Sequence, residues 1–140
     1  MTARSRLTRR DGALRVATAA GLLVDAVIHL DLAGQYQAAA PGGIGQGNLF
    51  RIQAAAALLV AGFVLLRGTR AAYLGALVTA GAALAAVVLY RYVDVPPLGP
   101  LPAMYEPLWF PSKTATAIAE ALATLTSGLA LSRAGQSNPS

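Results

Sequence analysis

The chain of 140 residues has no cysteine, one histidine and six acidic residues. Without cysteine there is no disulfide, no thiolate metal site, no iron–sulfur cluster and no cysteine nucleophile, and the redox compartment is left open. One histidine excludes a haem held by two histidines of a single chain. Charge is also scarce, at 12% of residues, about half the ~25% usual in soluble domains. With 56% hydrophobic residues and a mean hydropathy of +0.55, intrinsic disorder is excluded. Glycine has no period of three and no longer repeat is visible, so collagen and solenoid architectures fall away too. The length allows one domain.

What the chain has in quantity is long apolar runs. Four of them, at about 13–33, 50–66, 71–90 and 113–131, are each close to the ~20 residues that cross a ~30 Å hydrocarbon layer as a helix. The run Ala54-Ala55-Ala56-Ala57-Leu58-Leu59-Val60 lacks the alternation of a barrel strand. The expected fold is therefore all-α, an integral membrane four-helix bundle over 13–133. An arginine-rich tail at 1–12 and a short tail at 134–140 complete the chain.

The net charge of +5 is distributed as a topology signal and not as a nucleic-acid surface. Arg4, Arg6, Arg9, Arg10 and Arg15 lie before or at the start of the first run. Arg67 and Arg70 lie in a very short loop, and Arg133 follows the fourth run. Arg51, Arg91 and Lys113 fall on the opposite side. Eight against three predicts both termini in the cytoplasm of a multi-pass cell (cytoplasmic) membrane protein. No basic helix face is interleaved with aromatics for stacking on bases, so no nucleic-acid partner is expected. The arginine-rich tail suits anionic lipid headgroups. A secretory signal peptide is the rival reading of the first run, opposed by its length and by Asp25, His29 and Asp31 within it.

The connections predicted on the far side differ. Gly34–Leu49 carries Gly42, Gly43, Gly45 and Gly47, without the strand–loop–helix setting of a phosphate cradle. It reads as a flexible or partly re-entrant connector. Tyr92–Ser112 carries six prolines, which remove six backbone donors and preclude helix. Tyr90, Tyr92, Tyr105, Trp109 and Phe110 beside it suggest an interfacial lid, and Ser112 reads as the N-cap of the fourth helix.

Small residues at Ala115, Ala119, Ala123 and Ser127, with Gly75, Thr79, Gly81 and Ala85 on the third helix, allow close helix packing. They serve a compact bundle, a homo-oligomer or a membrane-protein partner equally well. Two polar stripes stand out against them. Thr18, Gly21, Asp25 and His29 share one face of the first helix, and Lys113, Thr116, Glu120, Thr124 and Ser127 share one face of the fourth. Intramembrane carboxylates are costly and turn inward. Counting from the ends places Asp25 and Glu120 at nearly one depth, with His29, Gln53 and Thr116 farther out. The consequence is an intramembrane polar pocket of Asp25, His29, Gln53, Thr116 and Glu120, the carboxylates at its floor and His29 near its mouth.

Three roles for that pocket are open. The carboxylates fix helix register, one protonated or paired with His29, Arg51, Arg91 or Lys113. Alternatively they exchange a proton or cation, with His29 as relay. In the third, Asp25, His29 and Glu120 hold a metal, although one histidine and hard oxygens form a thin ligand set. The cofactor is left unassigned. Catalysis is not expected, because no nucleophile accompanies a base and an orienting acid. The segment His29-Leu30-Asp31-Leu32, then Tyr36, Ile44-Gly45 and Asn48-Leu49-Phe50, resembles uncharacterised small four-span membrane proteins of high-GC bacteria over the first two helices. That resemblance implies an integral membrane protein of a bacterium and no particular activity. Two functions follow: an accessory or structural subunit binding a membrane partner, or a protein handling protons or cations in transport or sensing.

Overall fold

The computed structural model describes residues 3–136, with side chains from Arg10 to Gly135. Four helices form it: α1 (Ala3–Ala39), α2 (Gln46–Leu66), α3 (Arg70–Tyr92) and α4 (Pro111–Gln136). Each contains a stretch long and apolar enough to cross a membrane. The positions 137–140 of the expected C-terminal tail lie outside the described residues, as do residues 1 and 2 of the N-terminal one.

The helices are antiparallel neighbours in the ring order α2–α1–α4–α3, with α3 closing against α2. The core is built mostly of alanine: Ala54, Ala57 and Ala61 on α2, Ala72, Ala76 and Ala80 on α3, and Ala119 and Ala123 on α4. Their 3-4 spacing turns one slim face of each helix inward and lets backbones approach. A close approach joins α1 to α4, where a Cβ added at Gly21 would lie 2.6 Å from the Ala119 carbonyl oxygen. Of the expected small-residue stripe on α4, Ala119, Ala123 and Ser127 are buried and Ala115 is exposed.

The α1–α2 connection is far shorter than Gly34–Leu49. Helix α1 runs through Gly34 to Ala39 and α2 begins at Gln46. The glycines of this connection are used individually. Gly43 and Gly45 adopt positive φ of 60° and 83°, and Gly47 admits the Ala33 carbonyl and Gln37. The Gln37 side chain accepts the Asn48 N–H at 2.9 Å, supplying from α1 the cap that Gly45 lacks. At the opposite end, Gly68 closes α2 at φ 56°. Thr69 Oγ1 then caps α3 by accepting the Ala72 N–H at 3.2 Å.

Residues 93–110 contain no helix, as the prolines require. Leu98 and Leu101 exchange backbone hydrogen bonds around a tight turn at Gly99. The segment is tied to the bundle by Ile44 N–H on the Pro100 carbonyl (2.8 Å) and Glu106 N–H on the Tyr90 carbonyl (3.0 Å). The sixth proline, Pro111, belongs to α4 as its first residue, where its missing N–H costs nothing. Ser112 therefore lies inside the first turn and is not the N-cap. The Thr114 N–H instead bonds the Phe110 carbonyl.

Candidate functional site

Both polar stripes face inward. Thr18, Asp25 and His29 on α1 are buried, as are Lys113, Thr116, Glu120 and Ser127 on α4. They meet because α1 and α4 pack side by side with Gly21 at the crossing. Toward the α2–α3 turn, Thr18 and Thr126 hydroxyls are 2.7 Å apart, and Ser127 bonds the Ala123 carbonyl of its own helix at 2.6 Å.

Asp25 is the hub. Its Oδ2 accepts from Gln53 Nε2 at 2.9 Å, and its Oδ1 accepts from the Thr116 hydroxyl at 3.0 Å. His29 Nδ1 lies 2.9 Å from Oδ1 and 2.9 Å from the Asp25 carbonyl oxygen. Two acceptors at that nitrogen place the proton on Nδ1. Three helices thus saturate one carboxylate. Glu120 is treated differently. Its Oε1 has a long contact from Thr116 at 3.4 Å, the Asp25 carboxyl lies beside it, and its Oε2 is buried with no hydrogen-bond partner. The Asp25, His29 and Glu120 donor atoms lie within 4.8 Å of one another.

The expected pocket residues are brought together, but the pocket is built otherwise than expected. A cavity of about 360 Å³ lies between the four helices and the proline-rich loop. His29, Gln53 and Thr116 form its polar floor, and Asp25 and Glu120 sit behind that floor without lining it. Most of its wall is apolar, including Ile28, Leu32, Leu49, Ala86, Val87 and Met104. Phe50 packs its ring edge-on to His29 at 4.8 Å. The loop does act as a lid. Tyr90 and Phe110, expected as interfacial anchors, line the cavity, whereas Tyr92, Tyr105 and Trp109 are exposed.

Of the four suggested charge partners, only His29 reaches a carboxylate of the cluster. Arg51 donates to Asn48 Oδ1 at 2.7 Å, out on the exposed start of α2. Arg91 stands over the rings of Tyr92 (4.7 Å) and Trp109 (5.9 Å). Lys113 donates to the Glu106 and Leu108 carbonyls at 2.7 and 3.1 Å. All three sit at the lid end of the bundle; Lys113 is held there by lid carbonyls and Arg51 by Asn48 of its own helix, while Arg91 keeps a buried Nε without a hydrogen-bond partner.

Two residues of the site were missed from the sequence. Tyr36 donates to Glu106 Oε2 at 2.5 Å and stacks near Phe50, fastening lid to α1. Glu106 is the single acid within the proline-rich segment 95–111, which was the available signal.

As a metal centre, Asp25, His29 and Glu120 are an imperfect set. Their ligand atoms all lie within 4.8 Å of one another, but one histidine and two carboxylates are a thin set for zinc. His29 Nδ1 is moreover committed to Asp25. The arrangement places two carboxyl groups together behind a histidine that lines the cavity. Searches against protein-family models, curated proteins and solved structures found no match for the chain.

Proposed function

We propose that this chain is a multi-pass protein of a bacterial cell membrane, with both termini cytoplasmic, that handles a proton or another cation through Asp25, His29 and Glu120. Membrane placement is supported by the outward faces of the helices. Val27, Leu59, Val78, Ile118 and Leu125 are each more than 60% exposed, a liability in water and a fit to lipid tails. Orientation is supported by Arg10, Arg15, Arg70 and Arg133, which surround a second cavity at the end opposite the lid.

One observation carries the functional reading: Glu120 Oε2 is buried and unpartnered beside a saturated Asp25. A carboxylate kept only for helix register is expected to have its oxygens satisfied, as Asp25 does. Glu120 has room for one more positive charge. A proton there gives an O–H donor facing acceptors, and His29 connects the cluster to the cavity.

Reconstituted vesicles test this. After an imposed pH step, vesicles holding the wild type should equilibrate an internal pH dye faster than empty ones. Asp25→Asn and Glu120→Gln should fall to the empty-vesicle rate while remaining folded. Equal rates for both variants and the wild type, or no wild-type effect, would leave the accessory subunit binding a membrane partner as the better reading.

A further inference from the structure

The polar floor of the lidded cavity is short of donors. Gln53 Nε2 directs its two hydrogens to Asp25 Oδ2 (2.9 Å) and the Thr79 carbonyl (3.3 Å), which leaves Oε1 as acceptor. The Thr116 hydroxyl donates its proton to Asp25, which leaves its oxygen lone pairs. His29 Nδ1 lies against Asp25 Oδ1 and the Asp25 carbonyl; with a single ring proton placed there, Nε2 is an acceptor too. Three acceptors therefore surround one carboxylate and line the cavity floor. Behind them lies the unpartnered Glu120 Oε2.

Under the lid, Glu106 adds a third carboxyl group, and Lys113, the one cationic side chain lining this cavity, has turned to the lid carbonyls. Between floor and lid the walls are aliphatic and aromatic, with Phe50, Tyr90 and Phe110 among them. Such rings favour an organic cation over a hydrated one. The volume of about 360 Å³ is at the small end of ligand pockets, too small for a two-chain lipid.

We propose that this cavity binds a primary organic ammonium with a compact apolar or aryl tail, its N–H groups on Gln53 Oε1, Thr116 Oγ1 and His29 Nε2 and its charge balanced by Asp25 and Glu120. The inference deepens the cation-handling reading by naming the chemical class of cation. It is separable from proton movement, because binding in detergent needs no bilayer.

Isothermal titration of the full chain with three aryl probes that differ in charge and in N–H donors decides it. The probes are 2-phenylethylammonium, 2-phenylethanol and phenyltrimethylammonium. The ammonium should bind saturably, and the alcohol and the quaternary cation about tenfold or more weaker, for want of charge and of N–H donors respectively. Asp25→Asn should weaken the ammonium by a similar factor. Ala86→Phe adds a ring at a cavity-lining position outside the packed core, so it should abolish binding with helicity and monodispersity unchanged. That variant keeps the test decisive if Asp25→Asn does not fold. No saturable binding, equal affinity for the alcohol, or undiminished binding by Ala86→Phe would overturn the proposal. Vesicle proton movement without ammonium binding would sink this inference alone, and binding without proton movement would sink only the preceding one.

Discussion

Asp25 and Glu120 carry the same group in one buried cluster, and their neighbours give them opposite sensitivities to substitution. Asp25 accepts hydrogen bonds on both oxygens, so Asp25→Asn turns an amide N–H₂ toward the Gln53 amide N–H₂ or toward His29 Nδ1 and leaves a buried donor unmatched. A loss of about 1–3 kcal/mol is expected. Glu120→Gln brings a donor to the place where an oxygen has none and should leave stability unchanged or raised. Chemical unfolding of the two variants in mixed micelles reads this difference directly; equal losses would mean that Glu120 is as well satisfied as Asp25. Four of the five pocket residues, all but Gln53 on α2, were legible because 3-4 spacing repeats Thr18, Asp25 and His29 on one face and Thr116, Glu120 and Ser127 on another. Tyr36 and Glu106 were not. Their bond joins a helix to an irregular segment 70 residues later, and no local period encodes such a meeting. The same limit hid the fates of Arg51, Arg91 and Lys113. Charge counting gives their side of the bundle and not the partners that engage them: Asn48 for Arg51, aromatic rings for Arg91 and lid carbonyls for Lys113.

At the scale of elements, slim helices set the geometry of the cluster. The Gly21 backbone lies against Ala119 and Ala123, and that approach is what lets the Asp25 and Thr116 side chains meet. Gly21→Val should separate α1 from α4 at a cost of about 1–3 kcal/mol. Because the crossing lies one turn from Asp25, proton movement in vesicles should fall even where the variant remains helical by circular dichroism. Unchanged stability in Gly21→Val would show that the helices do not need this contact. Hydropathy located the helix cores, but it placed their ends poorly. Gly34 looked like the start of a loop, yet it is an exposed position within α1. A glycine-rich stretch has the same composition whether it is slack or is used, as at Gly43, Gly45 and Gly47, for positive φ and close contact. The proline segment was easier to read, since a missing N–H acts locally; only Pro111 crossed over, into the helix position that tolerates it.

For the molecule as a whole, the arrangement is asymmetric along its length. Alanine packing fills the end near the α2–α3 turn, and the lid end encloses the cavity, with the ionisable cluster between them. In the proposed orientation, a reporter fused after Ser140 should report the cytoplasm and one inserted at Gly42-Gly43 the exterior. The reverse pair would put the cavity on the cytoplasmic side. The cluster itself has a direct spectroscopic readout. Infrared difference spectra of the protein in lipid, taken between acid and alkaline pH, should contain a protonated-carboxyl band from a site shielded from water. That band should disappear in Glu120→Gln and be shifted or lost in Asp25→Asn. A spectrum with no such band, or one that both variants leave intact, would contradict the claim that a proton is held between these two side chains.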